Sequence, residues 1–318
     1  MMKSFDLIAS GYCSLDRIIR IQPMARVGKT SIVQNHDNAT LRYGGCGLNV
    51  ATALCRLGKT VLPIIRVGDD YESTGFKSHL KQERIATDAV VKITGVATSC
   101  CYLVENPSSD HMTLFYPGAM SEPYFRPYEQ AWFESSKLAL MTVASRIDND
   151  EFLKKSVSAK LPLFLGMKMD QDAFPKVFLK SVLKECTGVF GNTTEADYIR
   201  DTMEVSDLST LFTLLPKLSF IAITNGKQGS HALFREGNKI MAHDSPIVPA
   251  RKFVDAVGSG DAYISGFLYA WLEKKSIQQC MHYGSTLASF VIEGMGATTS
   301  APTLDLLQER FIQTYDKE

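Results

Sequence analysis

Asp255-Ala256-Val257-Gly258-Ser259-Gly260-Asp261 opens an apolar run that extends to Leu272. Within that run Ile264, Phe267, Leu268, Trp271 and Leu272 recur at i, i+3, i+4, i+7 and i+8, one stripe of an amphipathic helix. The spacing predicts a helix that begins near Ser259. Two glycines around a serine just ahead of it permit a tight turn and aim unpaired N–H groups at one point, where the positive end of the helix dipole adds to them. Such a turn is an anion site. Asp261 then sets a carboxylate beside the place an anion would occupy. A capped helix after a glycine turn fits the same residues.

With 318 residues the chain is long enough for one large α/β domain or two ordinary ones. Its 34 basic and 34 acidic side chains balance, so no footprint for nucleic acid is visible. Cys13, Cys46, Cys55, Cys100, Cys101, Cys186 and Cys280 are odd in number and include no C-x-x-C pair. They indicate neither a disulfide framework nor a zinc site, and a reducing cytoplasm is expected. The apolar run near Met1 to Ser10 is broken by Asp6, too short for the core of a signal peptide, and no stretch of 18 uncharged apolar residues offers a membrane span.

Along the chain, Phe5 to Ala9 reads as a buried strand, Ser14 to Ile19 as extended chain, and Ile21 to Tyr43 as short β-like pieces. Tyr43 to Gly58 is a glycine turn feeding a helix that stops at Gly58. Val61 to Val67 reads as one strand, and a helix follows over Gly75 to Leu80. Thr98 to Glu105 and Met112 to Tyr116 read as strands around the turn Asn106-Pro107-Ser108-Ser109-Asp110. From Leu138 strands and helices alternate through Gly191, the pattern of parallel strands with crossover helices. Leu218 to Thr224 is a further strand and Gln279 to Ile292 a small-residue helix.

Two tempting motifs fail. Gly28-Lys29-Thr30 and Gly58-Lys59-Thr60 would need a glycine five residues earlier to be P-loops, and Pro23 and Ala53 stand there. Gly45-x-Gly47 has Val50 where a dinucleotide fingerprint needs its third glycine, so a nucleotide-dependent oxidoreductase is disfavoured.

Asp255 to Asp261 resembles the D-T-x-G-A-G-D signature of the ribokinase-like (PfkB) carbohydrate kinases, departing from it at Ala256 and Ser259. Gly44-Gly45-Cys46-Gly47-Leu48-Asn49, with Leu57-Gly58 closing the helix, is similar to the family's G-G-x-x-x-N signature. Val67-Gly68-Asp69-Asp70 resembles its V-G-x-D segment, Asn192-Thr193-Thr194-Glu195 its N-x-x-E motif, and Thr224 to Gly229 its T-x-G-x-x-G turn. Phe115-Tyr116-Pro117-Gly118-Ala119-Met120 looks like the F-x-P-G-A-M stretch of a nucleoside-kinase-like branch. The likeness spans nearly the entire chain.

The resemblance implies a single domain over 1–318 with a three-layer α/β fold. Its mostly parallel central sheet would be flanked by helices, and a small β-sheet lid would come from about 12–43 and 97–118. It implies an ATP-dependent kinase that phosphorylates a hydroxymethyl group of a sugar or nucleoside. Asp261 would be the base and the amides of Gly258, Ser259 and Gly260 the anion hole. Asp16, Gly44, Gly45 and Asn49 would hold the substrate, with the glycines letting backbone approach it. Asn192, Thr224, Gly226 and Gly229 would serve the nucleotide. Glu195 and Asn192 would hold magnesium, partly through water, and Asp255, Val257 and Ser300 are the candidates for a potassium ion. A homodimer through the lid stays open, as does a degenerate chain that binds a sugar or nucleoside and regulates without chemistry. Read without the family, Asp16 is a solvated polar residue, Asn49 a helix-entry residue, Thr193 or Thr194 a helix cap with a nearby Glu, Thr224 to Gly229 a hairpin turn, and Phe115 to Met120 a strand ending in a Pro-Gly turn.

Overall fold

The computed structural model describes residues 4–106 and 111–315 of the chain. The first strand, β1 (Phe5–Ala9), sits deep in the molecule, and its alternating side chains show why. Leu7 and Ala9 join one apolar cluster and Ile8 the other, each almost fully buried. A strand apolar on both faces belongs inside a sheet covered by helices on each side.

The chain next forms β2 (Ser14–Gln22), β3 (Ile32–Val33) and β4 (Arg42–Gly44), then helix α1 (Cys46–Arg56). The single strand expected over Val61 to Val67 is two, β5 (Val61–Pro63) and β6 (Ile65–Val67), in different sheets. Pro63 has no N–H with which to continue a ladder, and after Ile64 donates to Ala9 O at 2.9 Å the chain leaves the large sheet. It continues through α2 (Phe76–Gln82), β7 (Val90–Lys92), β8 (Cys100–Glu105) and β9 (His111–Tyr116). Of the turn expected at 106–110, residues 107–110 lie outside the described residues.

Beyond this comes the expected alternation: α3 (Gln130–Glu134), β10 (Ser136–Met141), α4 (Arg146–Ser158), β11 (Leu163–Gly166), α5 (Lys176–Glu185), β12 (Cys186–Asn192), α6 (Thr193–Met203), α7 (Leu211–Leu214) and β13 (Phe220–Thr224). A hairpin of β14 (Ser230–Glu236) and β15 (Lys239–Ser245) follows, then α8 (Ser259–Leu272), α9 (Ile277–Val291) and α10 (Leu304–Tyr315).

The large sheet has eight strands in the order β15-β14-β13-β12-β11-β10-β1-β5. Every pairing from β13 to β5 is parallel, and β14 and β15 add an antiparallel edge. In the second sheet β2 lies between β3 and β8, β9 pairs β8, and β4 pairs β2. The order places the C-terminal ends of β1, β10, β11, β12 and β13 on one rim, where open α/β sheets receive their ligands.

Helix α8 departs from expectation. It is not amphipathic, for Asp261 through Ala270 are all buried. The stripe Ile264, Phe267 and Leu268 does pack in the core, with Phe267 against Phe190 and Phe220 at centroid distances of 5.0 and 4.6 Å. The opposite face is covered as well. A Cβ on Gly266 would collide with the Tyr283 carbonyl of α9, so that glycine lets two helices touch. Ser265 returns its hydroxyl to Asp261 O at 2.6 Å, and the Tyr263 hydroxyl pairs with Ser230 Oγ at 3.0 Å. The polar groups on that face are satisfied locally, which lets it be buried.

Candidate active site

The turn ahead of α8 fixes the site. Gly258 caps the helix at φ 77°, a left-handed conformation, and a Cβ there would strike Ala297. Asp255 braces the turn, accepting from Val257 N at 2.9 Å and Gly296 N at 2.8 Å. Of the three expected anion-hole amides, Ser259 N is engaged by Ala256 O at 3.1 Å. That one is corrected: it holds the turn. The N–H groups of Gly258 and Gly260 have no partner among the described residues and, with that of Asp261, are the donors left at the helix mouth. Gly260 has open space where a Cβ would stand.

Asp261 is 4% exposed. Its Oδ2 accepts from Asn49 Nδ2 at 2.8 Å, while its Oδ1 is buried without a hydrogen-bond partner among the described residues. Asn49 is itself buried in the first turn of α1, and its Oδ1 is likewise unpartnered. So the two motifs 212 residues apart in sequence meet side chain to side chain. Cys46, one turn away, has its thiol pushed up to about 12 by burial and by the charge of Asp261.

Asp16 stands on β2 opposite Arg42, with Gly44 two positions along the same pairing. A Cβ on Gly44 would collide with Asp16 Oδ2, and one on Gly45, at φ 99°, with Tyr12 O. The glycine pair was expected to admit substrate; in the structure it admits the Asp16 carboxylate and the Tyr12 backbone. Burial lifts the Asp16 carboxyl to about 6 against the opposing pull of the Ser14 hydroxyl and the Arg42 charge. Its Oδ1 is buried and has no hydrogen-bond partner among the described residues. A half-buried carboxylate with a free oxygen is a ready acceptor for hydroxyl groups.

Asn192 ends β12 and caps α6 in a reciprocal box: Oδ1 accepts from Glu195 N at 3.0 Å and Glu195 Oε2 from Asn192 N at 2.7 Å. The helix cap expected at Thr193 or Thr194 falls instead on Asn192, and both threonines lie inside the first turn. Glu195 is 5% exposed, and burial raises its carboxyl pKa. The turn from Thr224 to Gly229 closes the β13–β14 hairpin, with Gly226 at φ 51° and Gly229 at φ 88°. A narrow cavity of about 60 Å³ collects Lys168, Gly191, Asn192, Glu195, Thr224 and Gly260. Lys168 entered no motif, and its Nζ lies 3.9 Å from Asp261 Oδ1. No spacing in the sequence could have found it, because it follows β11 in an irregular segment and reaches the site only through sheet order.

The register of the second sheet aligns Asp16 with Cys101 and Cys101 with Phe115, so all three share a face. Phe115 meets Tyr12 edge to face at 4.8 Å. Beyond it Gly118 to Met120 turn inward and are buried. The Arg66 guanidinium donates to Ala119 O and Met120 O at 2.9 Å and pairs with Asp148, to which Tyr128 also donates. At the root of β8, Asp70 accepts from Thr98 N at 2.8 Å and Thr98 Oγ1 at 2.6 Å. The V-G-x-D segment thus pins the strands that carry Phe115. Ser300 sits with its hydroxyl against Gly294, across the loop that donates to Asp255.

A parallel sheet whose strand ends face a helix mouth of free amides, with a carboxylate inside that mouth, defines the class: an α/β phosphotransferase. The family model of the pfkB family carbohydrate kinases matches residues 10–304. The nucleoside kinase of Methanothermobacter thermautotrophicus is 25% identical over 322 residues, covering 100% of this chain and 99% of its own. The ribokinase of Bacillus subtilis is 25% identical, covering 96% and 98%. The crystal structure of the Methanocaldococcus jannaschii nucleoside kinase superimposes with a TM-score of 0.85 at 21% identity over 98% of this chain and 100% of that one. This chain belongs to the pfkB family of carbohydrate kinases, ATP-using phosphotransferases with an alcohol group as acceptor. Among the described residues no helix is long and apolar enough to cross a membrane.

Proposed function

We propose that the chain transfers the γ-phosphoryl group of ATP to the hydroxymethyl group of a nucleoside. The observation that carries this reading is the Asp261 carboxylate, held by Asn49 at the mouth of α8 beside the free amides of Gly258 and Gly260. Asp261 takes the proton of the substrate hydroxyl as the oxygen attacks, and the amides hold charge on the phosphoryl oxygens. Asp16 accepts sugar hydroxyls through its free oxygen, and Asn49 Oδ1 accepts another. A nucleoside is favoured over a free sugar by Phe115, which shares a face with Asp16 two strands away, roughly 10 Å. That separation suits a ribose at one end and a base against an aromatic ring at the other. The second sheet then serves as the lid of one kinase domain over 1–318, and its exposed Tyr102, Leu114 and Tyr116 offer a face for a second copy of the chain.

Asn192 and Glu195 suit magnesium held through water. Their capping box engages Asn192 Oδ1 and Glu195 Oε2, which leaves the charge of Glu195 and its second oxygen for outer-sphere contact. Thr224, Gly226 and Gly229 border the nucleotide phosphates in the same proposal. Each Asp255 oxygen accepts one N–H and keeps a further lone pair, so its charge fits a potassium ion near Val257 and Ser300. When bound, the magnesium ion supplies charge neutralisation at the phosphates.

The test is ADP release with ATP and magnesium across adenosine, inosine, cytidine, ribose and fructose. Turnover with a nucleoside supports the reading. Turnover with ribose or fructose alone moves the substrate to a sugar, and silence on all five, together with tight binding of one of them, makes the chain a regulator.

A further inference from the structure

Lys168 is the one basic side chain among the described residues lining the narrow cavity at the mouth of α8. Its ammonium stands 3.9 Å from Asp261 Oδ1, too far for a hydrogen bond and near enough for strong attraction. That oxygen is buried and has no hydrogen-bond partner among the described residues. The charge of Asp261 leads, with Cys46 and Glu195 adding to it, in holding the lysine protonated against partial burial. The cation is thus drawn toward the carboxylate but left about an ångström short of contact, in a cavity that Gly260, Glu195 and Thr224 also line.

That position matters for the charge balance of the transfer. A loose phosphoryl transition state spreads negative charge over three oxygens, and two backbone amides carry only partial positive charges. Glu195 lines the cavity and feels the charge of Asp261, so the cavity without a cation would repel the incoming group. An ammonium has three donors on a flexible stem and can serve a carboxylate and a phosphoryl oxygen together.

We propose that Lys168 is a catalytic residue that binds the γ-phosphoryl oxygens opposite the free amides of Gly258 and Gly260. The proposal rests on the kinase reading above. In the step, the bond from the γ-phosphorus to the β–γ bridging oxygen breaks and its electron pair leaves with ADP. The bond from the acceptor oxygen to phosphorus forms, and the acceptor proton passes to Asp261. Lys168 keeps its proton throughout.

The test compares wild type, Lys168→Met, Lys168→Gln and Lys168→Arg as full chains, each checked for an unchanged melting curve. Calorimetry measures ADP and a non-hydrolysable ATP analogue with magnesium, a readout that requires no acceptor. The Met and Gln variants are expected to lose roughly 10-fold or more in affinity for the ATP analogue while ADP binding stays within about 3-fold, since only the former carries the group Lys168 meets. Turnover on the acceptor found for the wild type is expected to fall by about 10²–10³-fold, with partial recovery in Lys168→Arg. Equal loss for both nucleotides, or no loss for either, would overturn the proposal. Failure of the kinase reading shows separately, as no ADP release by the wild-type chain with any acceptor.

Discussion

The Asn49 side-chain amide donates to Asp261 Oδ2 at 2.8 Å, joining the first turn of α1 to the first turn of α8. The bond leaves one oxygen of the carboxylate for chemistry and fixes the direction in which it points. It also spends the donor end of Asn49, so the acceptor end is what remains for the proposed contact with a substrate hydroxyl.

Removing that amide should cost activity more than stability. A hydrogen bond to a charged group is worth about 1.5–3 kcal/mol, or roughly 10- to 100-fold. Asn49→Ala is expected to lower kcat/KM by that factor with ADP binding unchanged. Steady-state kinetics beside ADP calorimetry will check it, and unchanged kcat/KM would remove Asn49 from the site.

Asp16 predicts a pH dependence whose sign follows from its raised pKa. Burial lifts the folded-state value to about 6, above an unfolded value of about 3.9, so the folded protein binds this proton more tightly. Its contribution to stability is therefore fully present at low pH and is lost as pH rises from about 4 to about 6. Substrate binding is expected to run the other way, because in the proposed function the ionised carboxylate accepts the substrate hydroxyls. Affinity for the wild-type acceptor should rise through pH 6 and level off, and Asp16→Asn should flatten the curve. Calorimetric titrations at several pH values decide it; a flat wild-type profile counts against the role.

Gly44→Ala tests the close approach between a backbone and a carboxylate. The new methyl collides with Asp16 Oδ2, which must swing away. The expected result is a KM raised about tenfold or more with kcat little changed, since positioning and not the base is disturbed. An equal fall in kcat would place the fault nearer Asp261.

Arg66 and Asp148 form a nearly fully buried pair at the root of β9. Breaking it by Arg66→Met leaves an uncompensated charge, at a cost of about 3–5 kcal/mol. Urea unfolding should show that loss, and the double variant Arg66→Met with Asp148→Asn should recover part of it. Additive losses would mean that the two residues act independently.

Much of the candidate site is legible in the sequence because it is local. The Gly258-Ser259-Gly260 turn and Asp261 declare themselves by spacing, and the alternation from Leu138 onward announces a parallel sheet. What escaped is what tertiary contact decides. The stripe on α8 was real, yet its polar face is also buried because Gly266 lets α9 approach. Val61 to Val67 is apolar apart from Arg66, and nothing in that run tells where one sheet hands the chain to another except Pro63. Ser259 N–H was expected in the anion hole and is held by Ala256, an outcome that depends on the closure of a single turn. Lys168 and the Arg66–Asp148 pair lie in no motif and meet their partners only through sheet order.

The central claim is the role of the Asp261 carboxylate, and the turnover of Asp261→Asn reads it most directly. Asparagine keeps the shape of the side chain and cannot take a proton, so kcat is expected to fall by about 10²–10⁴-fold or more while ATP binding stays within a few-fold of wild type. Turnover within about threefold of wild type would contradict the account.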